Sequence, residues 1–234
     1  MPRKSRVVVP SMAHHIVHRG SRRLEVFKDD MDRLFYLGLF AESCAMYGLM
    51  IRAYSLMPNH VHYVAVPESL DSVAKTFHRA QGMYSKWFNE KHGYVGHLWQ
   101  ERPFSCVLSE AHTRNAMRYV ENNPVRASIV RSAEDFRWSS ARAHCFGEPD
   151  PLLDPAEPKA IEGWSGWLCG DLDARIGDLI RECTVTGRPC GDEMFVEQLE
   201  QLTGRKLRPK KPGPKPKVTD GAQLAFGSDN PELR

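Results

Sequence analysis

Four β-rich segments and two long amphipathic segments follow one another as strand, helix, strand, strand, helix, strand. That order predicts an α+β, ferredoxin-like fold: a split βαβ antiparallel sheet with helices on one face. Two further observations support it. The second and third strands are separated only by Pro58-Asn59, so they are antiparallel neighbours. Both long segments carry apolar residues at helical rather than alternating spacing.

His14-His15-Ile16-Val17-His18-Arg19-Gly20 is the first predicted strand. Its alternation puts His14, Ile16 and His18 on one face and His15, Val17 and Arg19 on the other. His14 and His18 are too far apart to chelate one ion easily, and a structural or DNA-contacting role is expected for them. Arg19, Arg22 and Arg23 around Gly20 make a basic turn suited to phosphate. Residues 29–46 form the first predicted helix. Asp29-Asp30 suits its positive N-terminus, Leu34, Leu37, Phe40 and Ala41 recur at helical spacing, and Gly48 ends it. Strands follow over residues 50–57 and 60–66. The second long helix spans about residues 70–91, with Lys75, Arg79 and Lys86 on a different face from Phe77, Tyr84 and Phe88. A Gly-containing loop runs to Pro103, and Phe104-Ser105-Cys106-Val107-Leu108 is the fourth strand. A third helix, about residues 110–121, ends before Pro124 as a helix should.

The main domain is placed at residues 1–146. Residues 147–182, rich in Pro, Gly and acid, are expected to be a linker, residues 183–204 a short helical appendage, and residues 205–234 a basic Pro/Lys tail unable to fold alone. The overall net charge of +3 conceals a basic domain and an acidic extension: residues 1–145 carry a net +7, residues 146–204 a net −9, and residues 205–217 a net +7. A basic domain with a basic tail suits a polyanion, nucleic acid above all. The six cysteines include no pair at Cys-x-x-Cys spacing, which excludes a zinc ribbon or thioredoxin-like motif. No apolar run is long enough to cross a bilayer and no signal-peptide core opens the chain, so a cytoplasmic protein without membrane partners is expected.

The chemistry centres on Ser55-Leu56-Met57-Pro58-Asn59-His60-Val61-His62-Tyr63-Val64. His60 and His62 alternate to the same face of a strand, about 7 Å apart, and can share a metal ion if a third ligand closes the site. Two half-buried strand histidines with ordinary hydrogen bonds would give the same pattern. On the third helix Tyr119 and Asn123 are i, i+4 neighbours and should share a face. Tyr84, also helical with basic neighbours, is a rival nucleophile, but Phe88 stands where an adjacent ligand would have to be.

Four stretches carry a family resemblance: Met57-Pro58-Asn59-His60-Val61-His62; Gly96-His97-Leu98-Trp99-Gln100-Glu101-Arg102-Pro103-Phe104; Arg118-Tyr119-Val120-Glu121-Asn122-Asn123-Pro124-Val125-Arg126-Ala127; and Trp138-Ser139-Ser140. Together they resemble the HUH superfamily of single-tyrosine transposases, and within it the REP-associated tyrosine transposases, over about residues 8–146. The resemblance implies His60 and His62 as metal ligands, Tyr119 as nucleophile, and Asn123 as the third ligand, where many transposases of the superfamily have Gln. Two imidazoles and an amide oxygen are compatible with Mg²⁺ or Mn²⁺. It further implies metal-dependent cleavage and rejoining of single-stranded DNA at hairpins through a 5′-phosphotyrosine, by a monomer or homodimer. Arg19, Arg22, Arg102, Arg114 and Arg118 are the candidate phosphate contacts, with Trp99 a candidate base-stacking platform. Two other readings remain open at this point. One is a DNA-binding regulator that kept the frame without catalysis. The other is an unrelated His-x-His metallohydrolase, which would need further carboxylate or histidine ligands.

Overall fold

A computed structural model of the chain describes residues 6–154, 156, 160–170 and 173–208. Residues 1–5 and the part of the Pro/Lys tail beyond residue 208 lie outside the described residues. The elements run β1 (His14–Arg19), α1 (Asp30–Tyr47), β2 (Leu49–Met57), β3 (His60–Pro67), α2 (Ser72–His92), β4 (Phe104–Val107), α3 (Glu110–Glu121), α4 (Asn123–Arg126), α5 (Ala141–Phe146), α6 (Trp164–Cys169), α7 (Ala174–Thr186) and α8 (Glu193–Thr203). The four strands form one antiparallel sheet in the order β2-β3-β1-β4. This is the predicted ferredoxin-like topology.

Local chemistry sets the element ends. Asp29 and Asp32 form a reciprocal capping box at the start of α1, and Gly48 closes it in the left-handed conformation at φ 62°. Both crossover helices, α1 and α2, lie on one face of the sheet. Ile16, Leu56, Val61 and Tyr63 project into them, and Phe40 stacks on Tyr63 at 4.4 Å. Tyr84 belongs to this core: its ring is fully buried and its hydroxyl donates to the Val26 carbonyl at 2.6 Å. Trp99 is packed there too, 7% exposed, stacked on His18 at 4.9 Å and set against Tyr36 and Tyr84. The stacking platform expected of Trp99 is therefore corrected. Its ring faces are spent on the core.

The opposite face of the sheet is covered by α3 and by α7, an element of the C-terminal extension. The linker expected at residues 147–182 is thus corrected for its second half. Trp164, Leu168 and Ile180 are buried against α3 and the sheet, and Ile176, Ile180 and Cys183 recur at helical spacing along α7. Pro, Gly and acidic content masked this periodicity in the sequence. Both sheet edges are protected. Leu56 N donates to Trp138 O at 2.8 Å along β2, and Cys190 N donates to Val107 O at 2.8 Å along β4. Leu199 of α8 joins Val7, Val9 and Val107 in a small separate core. Among the described residues no helix is long and apolar enough to cross a membrane.

Candidate active site

The strand register decides which side chains meet. Val17 pairs with His62 and Arg19 with His60, so His15, Val17, Arg19, His60 and His62 share the face that α3 and α7 cover. The His60 and His62 rings are 4.9 Å apart between centroids. Tyr119 sits in the last turns of α3 directly over them, 6.1 Å from the His62 ring and 5.6 Å from the His15 ring. Tyr119 is 3% exposed and His62 4%. Both line a cavity of about 250 Å³ whose wall also includes His15, Arg19, Arg23, Gln100, Arg181 and Thr184.

The phenol is framed by cations. Arg126 Nη2 donates to the Tyr119 hydroxyl at 3.2 Å and its guanidinium lies 4.1 Å over the ring. Arg181 of α7 lines the same cavity, within electrostatic reach of the phenol. A second groove of about 390 Å³ adjoins the cavity, sharing Phe104, Thr184 and Val185, and is lined by Arg6, Arg102, Arg188, Arg205 and Lys206. The turn leading to Arg23 is strained. Arg22 and Arg23 both take left-handed backbone, at φ 55° and 61°, which costs an L-residue about 1 kcal/mol or more each. Gly20 permits this turn, because a Cβ there would meet the Leu24 carbonyl at 2.3 Å.

The end of α3 is anchored by a buried carboxylate. Glu121 is fully buried and accepts hydrogen bonds from Ser140 Oγ, from His144 Nδ1 at 2.6 Å and from Trp164 Nε1 at 2.7 Å. Three helices, α3, α5 with its N-cap Ser140, and α6, thus converge two residues from Tyr119, which gives Ser140 of the Trp138-Ser139-Ser140 stretch a physical task. Arg114 and Arg118 belong to the same scaffold. Arg118 is buried, donates to the Gly170 carbonyl and lies 4.9 Å from the Trp167 ring, while Arg114 covers Trp164 and Trp167 at 5.8 and 5.5 Å. The phosphate contact expected of Arg118 is corrected, because its guanidinium clamps α3 to the end of α6, whereas Arg114 is exposed beside the α6 tryptophans. Arg19 lines the cavity, Arg102 the adjoining groove, and Arg22 is exposed on the turn and lines neither.

Asn123 departs from the expected geometry. The helix breaks at Asn122, whose ψ of 2° ends α3, and Asn123 opens the separate turn α4 with Pro124 behind it. Tyr119 and Asn123 are therefore not on one continuous helix face, and neither Asn123 nor His60 lines the Tyr119 cavity. The residue that reaches back to Tyr119 is Arg126. Asn123 is nevertheless buried, and its Nδ2 has no hydrogen-bond partner.

The donor set fits a divalent cation. His60 Nδ1 is held by Asn59 Oδ1 at 2.6 Å and His62 Nδ1 by His15 Nε2 at 3.0 Å, so each ring has Nε2 left to offer a metal. Burial lowers the His60 pKa to about 4 and drives that of His62 well below its ordinary value, with Arg19 and Arg126 adding to the effect. Both rings are neutral at pH 7, the form a metal requires. The orphaned Asn123 amide is consistent with a hard ligand position, because Oδ1 and Nδ2 exchange on a simple flip. A second cluster, Asp29, Asp32 and His92, brings three candidate ligand residues together near the start of α1. There Lys91 Nζ already lies 2.7 Å from both carboxylates, and the aspartates cap α1.

Buried neutral histidines also make stability pH-dependent. Burial lowers His14 to about 4 and His15 to about 3, and Val9 N donates to His14 Nε2 at 3.2 Å, which a protonated ring could not accept. Between pH 6.5 and 4 the unfolded chain binds protons at these rings and the folded chain does not, so stability falls as pH falls through that window. By pH 5 the loss should be roughly 1–2 kcal/mol for each of His14, His15 and His60. Metal-free urea titrations at pH 7.5 and pH 5.0 check this, and equal midpoints would contradict it.

The family described as "Transposase IS200 like" matches residues 8–123, which include β1 to β4, His60, His62, Tyr119 and Asn123. Among solved structures, the chain is similar to a REP-associated tyrosine transposase determined bound to a REP hairpin, with a TM-score of 0.52 and 18% identity over 66% of this chain and 92% of that one. At that identity the likeness is one of fold. A candidate transposase from Deinococcus radiodurans R1 is 20% identical over 52% of this chain and 97% of that one, with a TM-score of 0.35. No curated protein matches the chain.

Proposed function

The chain belongs to the IS200-like transposase family, and from that premise we propose that it is a REP-associated tyrosine transposase that cuts and rejoins single-stranded DNA at hairpins. The observation that carries this reading is the convergence of the Tyr119 phenol, two guanidiniums and the His60–His62 pair on one face of the sheet. The hairpin substrate is inferred from the fold likeness to a protein bound to a REP hairpin.

His60, His62 and Asn123 would hold the divalent cation, Mg²⁺ or Mn²⁺, which supplies Lewis-acid polarisation of the scissile phosphate. Tyr119 Oη forms the new bond to phosphorus as the bond from phosphorus to the 3′ oxygen breaks. The phenol loses its proton and the departing 3′ oxygen gains one. A phosphotyrosine ester on the 5′ side and a free 3′-OH result, so the bond energy is kept and a second 3′-OH can reverse the step. Arg126 and Arg181 stabilise negative charge at the phenol oxygen, which is a weak nucleophile while protonated. Burial keeps water from competing for the ester. The adjoining groove, with Arg102, Arg188 and Lys206, offers a path for the flanking strand's phosphates. A metallohydrolase built on the histidine pair is disfavoured, because no Asp or Glu joins it in a ligand cluster among the described residues.

The test is incubation of the protein with end-labelled single-stranded hairpins and Mn²⁺ or Mg²⁺. A covalent protein–DNA adduct that survives denaturation and disappears with EDTA is expected. DNA binding with no adduct under any metal would overturn the enzymatic reading.

A further inference from the structure

We propose that α7, which lies beyond the family match, is a working part of the active site: Thr184 acts through His15 to fix the tautomer of His62 that leaves Nε2 as its ligand atom. The inference rests on the reading of His62 as a metal ligand. Thr184 and His15 are positioning residues in it.

The argument follows one proton at a time. Thr184 Oγ1 donates its only hydrogen to the Ile180 carbonyl at 2.6 Å. At the 2.7 Å contact with His15 Nδ1 it must then accept, so Nδ1 carries the hydrogen. His15 is 1% exposed, and the partners of its two ring nitrogens are Thr184 and His62, neither a carboxylate. A neutral ring with Nδ1–H has a bare Nε2. That bare nitrogen lies 3.0 Å from His62 Nδ1, so His62 donates there and its own Nε2 is left with the lone pair. The direction of the whole chain is set by a helix carbonyl that cannot change role. Cys106 Sγ, 3.4 Å from Thr184 Oγ1, fits as a further donor to the same oxygen.

Without the hydroxyl the order is no longer enforced. His15 could then carry its hydrogen on Nε2, which would turn His62 to the opposite tautomer, with Nε2–H in place of a ligand. The same helix presents Arg181 to the Tyr119 hydroxyl, one turn before Thr184. One element of the extension therefore touches both halves of the site.

The experiment uses the full chain. Long-range ¹H–¹⁵N spectra of ¹⁵N-histidine protein, free of metal at pH 7.5, report which nitrogen of His62 is protonated, and Mn²⁺ titration followed by electron paramagnetic resonance reports affinity. Wild type should have His62 protonated at Nδ1. Thr184→Val should weaken Mn²⁺ binding about 10–100-fold, the usual effect of losing an outer-shell partner, and Thr184→Ser should restore it. Nε2 protonation in wild type would overturn the proposal without any variant, as would wild-type Mn²⁺ affinity in a folded Thr184→Val. His62→Ala separates the causes. If it still binds Mn²⁺ as wild type, the ligand reading fails and the relay with it. If it loses Mn²⁺ while Thr184→Val does not, only the relay fails.

Discussion

Tyr119→Phe is expected to lower DNA cleavage by at least ~10³-fold and to eliminate the covalent adduct, because it removes the oxygen proposed to form the ester. The ring stays, and with it the contacts to His15, His62 and Arg126. What is lost is a hydroxyl hydrogen-bonded to Arg126, so stability should change by no more than about 1 kcal/mol. Hairpin affinity should be unchanged, since the proposed phosphate path runs along the groove of Arg102, Arg188 and Lys206, which Tyr119 does not line. Gel-shift and cleavage assays on the same hairpin separate the two properties. Residual cleavage with an adduct would move the nucleophile to another residue. Tyr84 is not available for that role, because its hydroxyl is spent on the Val26 carbonyl on the far face of the sheet.

The sequence exposed what depends on local periodicity and concealed what depends on burial. The alternation of His60 and His62 along β3 and the helical position of Tyr119 needed only the pitch of each element. The sheet order followed from element order and the short Pro58-Asn59 turn. His15 was placed on the same strand face as Arg19, but nothing local distinguishes a ring that meets His62 across the ladder from one that meets solvent. Arg118 looks like a surface cation until α6 is folded against it. The α6 tryptophans were hidden in a segment whose Pro, Gly and acidic content resembles a linker. Arg181 and Thr184 were lost for the same reason, although their i, i+3 spacing already put them on one face of a helix. Arg126 was visible within the Asn122-Asn123-Pro124-Val125-Arg126 stretch. Its role was obscured because continuous helix was assumed across a break that Asn122 makes.

His62→Ala should reduce Mn²⁺ binding to background and abolish cleavage while hairpin binding survives. His62 occupies the meeting point of the strand pair, the phenol and the His15 contact, and a two-ligand remnant of His60 and Asn123 cannot close a site. Removing it also strands His15 Nε2 in a dry interior, at about 1–3 kcal/mol, so circular dichroism must accompany the titration. Asn123→Ala makes the sharper comparison. Its amide Nδ2 is buried without a partner, as a displaced ligand group would be, yet the residue opens α4 after the break and does not line the Tyr119 cavity. If Asn123 is the third ligand, the alanine variant should bind Mn²⁺ weaker by about 10–100-fold or more, and Asn123→Asp, which keeps an oxygen in place, should bind at least as tightly as wild type. Wild-type affinity in Asn123→Ala would instead direct attention to Gln100, which does line the cavity beside His62 and Tyr119. The site would then be closed from the loop before β4 and not from the end of α3.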